Sequence, residues 1–380
     1  MKDKKVFEKS KKIKGYGSFS KSLTNEEIER EIKLKSNLIV KPKIIRNLAE
    51  YFSFIQELET SYQNPIFYRG QTNANYLLIP SSLRLNPKNE HIMIEMFSRK
   101  FSDEIDQCNT NMAKLVLMQH YGLSCRCLDI SENPLAALYF ACQPMKKFNK
   151  NNNEEYWGEV ILFREPESNE SKKPENLKSI DSSNVSIMAS TAFMDNKFSL
   201  WHLGIQWQKD VNLGHNEKFI NLKSIVRGSL IVRVPQNNPR IKNQQGAFII
   251  CNANEVRIKD KKKSKELTKK IIESDNTTFD DLLQDSYWKN IFSSLATWQL
   301  IFKKIKPYNS KNKIKIFKTD PFDIERLLYK DKSNIHPVIL IPPECKQNII
   351  KELSKFNITE DFIYPDMDNV ANEINENMNK

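Results

Sequence analysis

The sequence predicts an α+β domain with a central mixed or mainly antiparallel sheet flanked by helices. Runs of strand length recur at residues 65–71, 158–163, 228–234, 244–251, 313–317 and 338–341, without the regular strand–helix alternation of a parallel fold. Helical periodicity concentrates elsewhere, in residues 90–141. The chain is 380 residues long and 39% hydrophobic, enough for one large domain or two ordinary ones.

Residues 1–45 are lysine-rich and lack a sustained apolar period, apart from a helical signal at 25–29 that Thr24 could cap. They read as an N-terminal extension, followed by a core at 46–260 and a C-terminal α/β portion at 261–380 packed on it. The lysines of the N-terminus are followed by no apolar run, which argues against a secretory signal and for a cytoplasmic location. No run reaches the roughly 18 apolar residues of a membrane span, so no membrane partner is expected.

A helix is predicted over 48–58. Residues 65–71 then read as a buried strand ending in Arg69 at its mouth. A guanidinium there is costly unless paired, so Arg69 is either a salt-bridge partner inside the fold or an anion ligand in a cleft. After a loop over 77–85, residues 90–119 are helical, with a polar break at 108–111. Met112, Leu115, Val116 and Met118 form the inner stripe of the last helix, and Gly122 stops it.

The stretch from Met118 to Ala141 organises the rest of the reading. It is expected to be a helix end, a tight polar loop and a second helix, with His120, Arg126, Asp129, Glu132 and Asn133 gathered in the loop. Asn133 is the expected N-cap, with Pro134 at the first helical position and an apolar run from Leu135 to Ala141 behind it. The loop can be structural, with Arg126 and Asp129 neutralising each other, or it can present a helix N-terminus to an anion.

Residues 146–155 form a lysine- and asparagine-rich insertion and 165–183 a polar surface loop. His202, between Trp201 and Trp207, reads as a packed core histidine. In the strand over 244–251, Gly246 would let a ligand approach the backbone. The charge run at 259–270 is a solvated face or a phosphate patch. Helices are expected at 291–305, around Trp298, at 320–329 and at 344–356.

The six cysteines include no CxxC pair, and no histidines stand at zinc-finger spacing, so neither a disulfide framework nor a metal site is expected. The net charge is +12, with a pI near 9.2 and a mean hydropathy of −0.59. That balance gives weak support to a polyanionic partner such as nucleic acid.

Two separated stretches resemble one family. Phe67, Tyr68, Arg69, Gly70 and Gln71, with Leu83 and Arg84 behind them, form the first. The second runs from Gln119, His120, Tyr121, Gly122 and Leu123 through Arg126, Leu128, Asp129, Asn133 and Pro134 to Ala141. Together they look like the FRG domain, and the tail through Tyr364, Pro365 and Asp366 is similar to the ending common on such proteins. Cys125, Cys127 and Ile130 depart from the family pattern in packing more than in polarity.

The Tyr68, Arg69, Gly70 sequence is also similar to the first motif of ADP-ribosyltransferases, which implies a related fold and NAD as substrate. The resemblance assigns catalytic roles to Arg69, His120, Gln245 and Asp129. It assigns NAD contacts to Tyr68, Arg69, Gly70, Gln71, Tyr121, Arg126 and Asn133. Arg69 would hold the phosphate or the nicotinamide ribose, and His120 and Tyr121 would line the nicotinamide pocket.

Such enzymes usually supply a glutamate from a later strand, where this chain has Gln244 and Gln245; Asp129 and Glu132 are the carboxylates placed to substitute. The implied role is a toxin or anti-phage effector modifying nucleic acid or protein, with an antitoxin as a neutralising partner. A non-catalytic nucleotide or nucleic-acid binding module is the alternative, and a metal nuclease using Asp129, Glu132 and His120 a third reading.

Overall fold

The computed structural model describes residues 40–58, 64–84, 90–144, 156–165, 178–199, 228–257, 299–302 and 324–365, except 75, 77, 79, 181, 195, 196 and 253, together with the single positions 262, 266 and 269. The expectations for 1–39, for 146–155, for Trp201, His202, Trp207 and Trp298, for most of 259–270 and for 313–317 lie outside the described residues.

Eleven described strands form two sheets. They are β1 (Val40–Ile44), β2 (Phe67–Gln71), β3 (Cys127–Ser131), β4 (Gly158–Phe163), β5 (Lys178–Ser179), β6 (Lys197–Ser199), β7 (Ser229–Arg233), β8 (Gly246–Cys251), β9 (Asn254–Arg257), β10 (Gln299–Phe302) and β11 (His336–Ile341). Eight make the main sheet, in the order β1-β11-β4-β2-β3-β8-β7-β5, and β6, β10 and β9 make a small second sheet. The main sheet is mixed. Its outermost pairs, β1 with β11 and β5 with β7, are parallel, and the inner pairs are antiparallel.

One ladder is nearly absent. β2 registers along its whole length with β4 but meets β3 at a single pair, Tyr68 with Ser131. Beyond that pair the strands part and the sheet divides into a β1-β11-β4-β2 half and a β3-β8-β7-β5 half. Backbone groups left facing such a gap need other partners. At the gap the Arg69 Nη1 donates to the Asp129 backbone carbonyl at 2.5 Å.

The helices are α1 (Leu48–Gln56), α2 (Ser81–Arg84), α3 (Glu90–Lys100), α4 (Ser102–Asp106), α5 (Asn111–His120), α6 (Pro134–Cys142), α7 (Ser183–Ser190), α8 (Pro239–Gln244), α9 (Lys346–Ser354) and α10 (Glu360–Ile363). Strand alternation sends Tyr68, Val160, Leu162, Ile339 and Ile341 into one core, shared with buried residues of α1, α6 and α9. On the other half Cys127, Leu230, Val232, Phe248 and Ile250 pack against α5 and α7. The opposite face, with Phe67, Leu128, Ile161, Phe163 and Ile249, is covered by Ile324 and Leu327 of a 3₁₀ turn and by Leu328 just after it.

α6 is the centrepiece of the first core. Its Asn133 cap accepts from the backbone N–H groups of Leu135 and Ala136 at 2.9 and 3.3 Å, and Pro134 opens it. It lies so close to the sheet that only glycine fits beneath it. A Cβ on Gly70 would stand 1.9 Å from the Ala137 carbonyl oxygen, and one on Gly158 would stand 2.3 Å from that of Ala141.

Several expectations are corrected. Residues 127–131, read as part of a polar loop, form β3, because Leu128 and Ile130 are buried and pair with Ile249 and Ala247 of β8. Residues 239–244 are helical, so Gln244 ends α8 and Gln245 caps it with a left-handed φ of 46°, and the strand starts at Gly246. Residues 299–302, assigned to a helix, pair with β6 and β9. Residues 40–44, assigned to the extension, pair with β11, which places the C-terminal portion inside the main sheet. Among the described residues, no helix is long and apolar enough to cross a membrane.

Candidate functional site: a cleft at the split of the sheet

The gap between the two halves of the sheet opens into a cleft of ≈ 250 Å³. Arg69 and Gly70 of β2 and Asp129 and Ile130 of β3 line it, so the cleft lies along the unpaired stretch of the β2–β3 ladder. His120 from the end of α5, Gln244 from α8 and Gly246 and Phe248 from β8 complete the floor, and Tyr364 closes one wall.

Asp129 is exposed and is the only carboxylate among the described lining residues. It is held from the side by Gln119, whose Nε2 donates to its Oδ1 at 2.6 Å. Gln119 is itself oriented, since the Cys125 thiol donates to its Oε1 at 2.6 Å. A chain of Cys125, Gln119 and Asp129 therefore fixes the carboxylate, while the backbone of Asp129 anchors Arg69. The His120 ring stands edge-on to Phe248, with centroids 6.2 Å apart.

On the far wall Arg240 stacks its guanidinium over the Tyr364 ring, 4.8 Å from the centroid, and makes a long 3.5 Å contact with the His120 carbonyl. The Phe140 ring meets Tyr364 edge-on at 6.1 Å. Gln244 Nε2 donates to the Ile363 carbonyl and Asn243 Nδ2 to that of Phe362, each at 2.8 Å, which ties the C-terminal segment to α8. Burial pushes the Tyr364 hydroxyl above the usual tyrosine range, against the opposing pull of Arg240. Burial likewise drives Tyr68 up to about 12, so its phenol stays protonated at neutral pH.

The residues singled out from the sequence divide into two groups. Tyr68, Arg69, Gly70, His120 and Asp129 line the cleft together. Arg126 does not reach it. That guanidinium is 2% exposed and is consumed by Glu90 at 2.6 Å, Asn252 at 2.6 Å and Thr191. Asn133 spends its side chain on the α6 cap, and Gln71 is buried in register with Glu159 of β4. Tyr121 faces solvent at 66% exposure, stacked on Phe101. Gln245 sits at the helix cap outside the lining, with its carbonyl accepting from the Glu132 N–H. Glu132 pairs with Arg233 through both carboxylate oxygens, at 2.7 and 3.1 Å.

Gln119, Ser131, Arg240 and Tyr364 are polar cleft residues that sequence reasoning missed as site residues, and Gln244, named beside Gln245 at the glutamate position, lines the cleft where Gln245 does not. Gln119 adjoins His120, and Tyr364 belongs to the C-terminal pattern, so both had a signal; Arg240 had none. Among the described residues, no group of three His, Cys, Asp or Glu side chains could hold a metal ion.

The fold is an α+β domain with a cleft at a divided sheet, lined among others by two arginines, an imidazole and a carboxylate. The family model of the FRG domain matches residues 64–150. The chain carries an FRG domain over that span, which runs from the residues just before β2 past the end of α6 and includes Arg69, His120 and Asp129. No curated protein and no solved structure matches the chain.

Proposed function

We propose that the cleft binds NAD and that the protein transfers ADP-ribose from it to an acceptor, nucleic acid or protein. The observation that carries this reading is the convergence of Arg69, His120 and Asp129, from three distant segments, on one cleft at the split of the sheet. In this reading Arg69 holds an anionic or ribose oxygen, as a planar donor suits. Asp129 supplies the negative charge that stabilises an oxocarbenium-like ribose as the bond from C1′ to nicotinamide breaks and nicotinamide leaves. The acceptor nucleophile then bonds to C1′. At ≈ 250 Å³ the enclosed space takes the nicotinamide ribose, and the remainder of a dinucleotide extends along the rim.

A binding module without turnover is the second reading. It is favoured by the hydrogen bond that the Gln119 amide donates to the Asp129 carboxylate and by glutamine, where transferases carry glutamate, beside the later strand. Adenylate-labelled NAD incubated with the full chain and with protein, RNA and DNA acceptors separates the two. The transferase reading expects labelled acceptor and free nicotinamide, falling roughly 10²-fold or more in D129N and R69K. No nicotinamide release with any acceptor, alongside measurable NAD binding, would leave the binding module. A toxin or anti-phage role follows from the first reading; growth arrest on expression in a bacterial host, relieved by D129N, is its expected sign.

A further inference from the structure

We infer that Arg240, placed over the Tyr364 ring, is a phosphate-binding residue of the cleft, and that with Arg69 it makes the site selective for a nucleoside diphosphate. The inference shares with the preceding reading only the premise that this cleft takes a ligand, and it requires no turnover.

Arg240 is half-buried and lines the cleft, yet among the described residues it pairs with no carboxylate. Two other described arginines show the contrast. Arg126 is bound by Glu90 and Arg233 by Glu132. A partly desolvated cation without an acidic partner costs solvation energy, and an incoming anion returns it. Its orientation is also set in advance. The Tyr364 ring 4.8 Å away seats the guanidinium, and its one side-chain hydrogen bond is the long contact to the His120 carbonyl. N–H groups on its edge are left for two oxygens of one phosphate.

Tyr364 is itself held by Phe140 and by the Gln244 and Asn243 bonds to the residues before it, so little ordering remains for binding. With two arginines and one carboxylate, the described lining has a net positive charge that suits a diphosphate better than a neutral nucleoside. Both members of the stack lie outside residues 64–150, so the phosphate anchor comes from β7–β8 and C-terminal parts of the chain.

The test is isothermal titration of the full chain with ADP, inorganic pyrophosphate and adenosine. The wild type should bind ADP and pyrophosphate, with adenosine weaker by roughly tenfold or more. R240Q should lose roughly tenfold for ADP and leave adenosine unchanged. Because R240Q could also loosen the C-terminal segment, the unaltered chain provides a second readout. Phenylglyoxal modification of Arg240, followed by peptide mass, should slow in ADP but not in adenosine.

ADP affinity in R240Q within twofold of wild type, Arg240 modification indifferent to ADP, or no ADP binding by the wild type at millimolar concentration would each overturn the inference. Intact ADP binding without NAD cleavage sinks the transferase reading alone.

Discussion

Replacing Gly70 with alanine tests how the site is positioned. The added Cβ would stand 1.9 Å from the Ala137 carbonyl oxygen and 2.8 Å from both the Ala141 nitrogen and the Phe140 Cβ, all in α6. Carbon rarely approaches such atoms within 3.0 Å, so β2 and α6 must separate by about 1 Å. Overpacking a core costs about 1–3 kcal/mol where side chains can yield. Here the obstruction is helix backbone, which places G70A at about 3 kcal/mol or above. For a chain of 380 residues that corresponds to a fall of roughly 4 °C in Tm.

Arg69 is the neighbour of Gly70 and crosses to Asp129, so the displacement should also weaken ADP binding. Urea unfolding followed by tryptophan fluorescence measures the first effect and calorimetry the second. G246A serves as the control. A Cβ there meets nothing nearer than 3.4 Å, and its cost should stay within about 1 kcal/mol. If G70A unfolds within about 0.5 kcal/mol of the wild type, the close seat of α6 on β2 is wrong.

Arg126 and Glu90 form a buried ion pair at 2.6 Å with both side chains 2% exposed. R126M should cost about 3–5 kcal/mol by stranding Glu90, and adding E90Q should recover part of it; a single variant within about 1 kcal/mol of wild type would make the pair structurally idle. His336 on β11 is buried, which lowers its pKa, although its Nδ1 donates to the Tyr329 carbonyl at 2.9 Å. The unfolded chain therefore takes up the proton first as pH falls below about 6.5, and stability drops there. The urea midpoint should fall between pH 7.5 and 5.5 in the wild type and fall less in H336Q; equal slopes would remove His336 as a cause.

Much of the frame was legible locally. β2, β4, β7 and β11 are short apolar runs bounded by turn residues, and α6 announces itself through Asn133 and Pro134 ahead of an apolar stretch. β3 was not legible. Its run of Cys127, Leu128, Asp129, Ile130 and Ser131 carries a charge in the middle, and only pairing with β8 shows it to be a strand. Asp129 can stay charged and exposed inside a strand because the ladder to β2 has already parted there. α8 escaped for a similar reason: six residues rarely hold a helix unaided, and this one is held by its Asn238 cap and by Ile241 packed into the core.

The sequence alone determined the mixed α+β class, the Asn133 and Pro134 start of α6, and Arg69, His120 and Asp129 as residues of interest. Those follow from local chemistry: side-chain period, capping and the cost of burying a charge. Only the tertiary structure decided that these three meet in one cleft, that Arg126 is spent on Glu90, and that Arg240 and Tyr364 complete the wall. Such outcomes depend on which distant segments become neighbours, and that is set by strand pairing and helix docking across the chain.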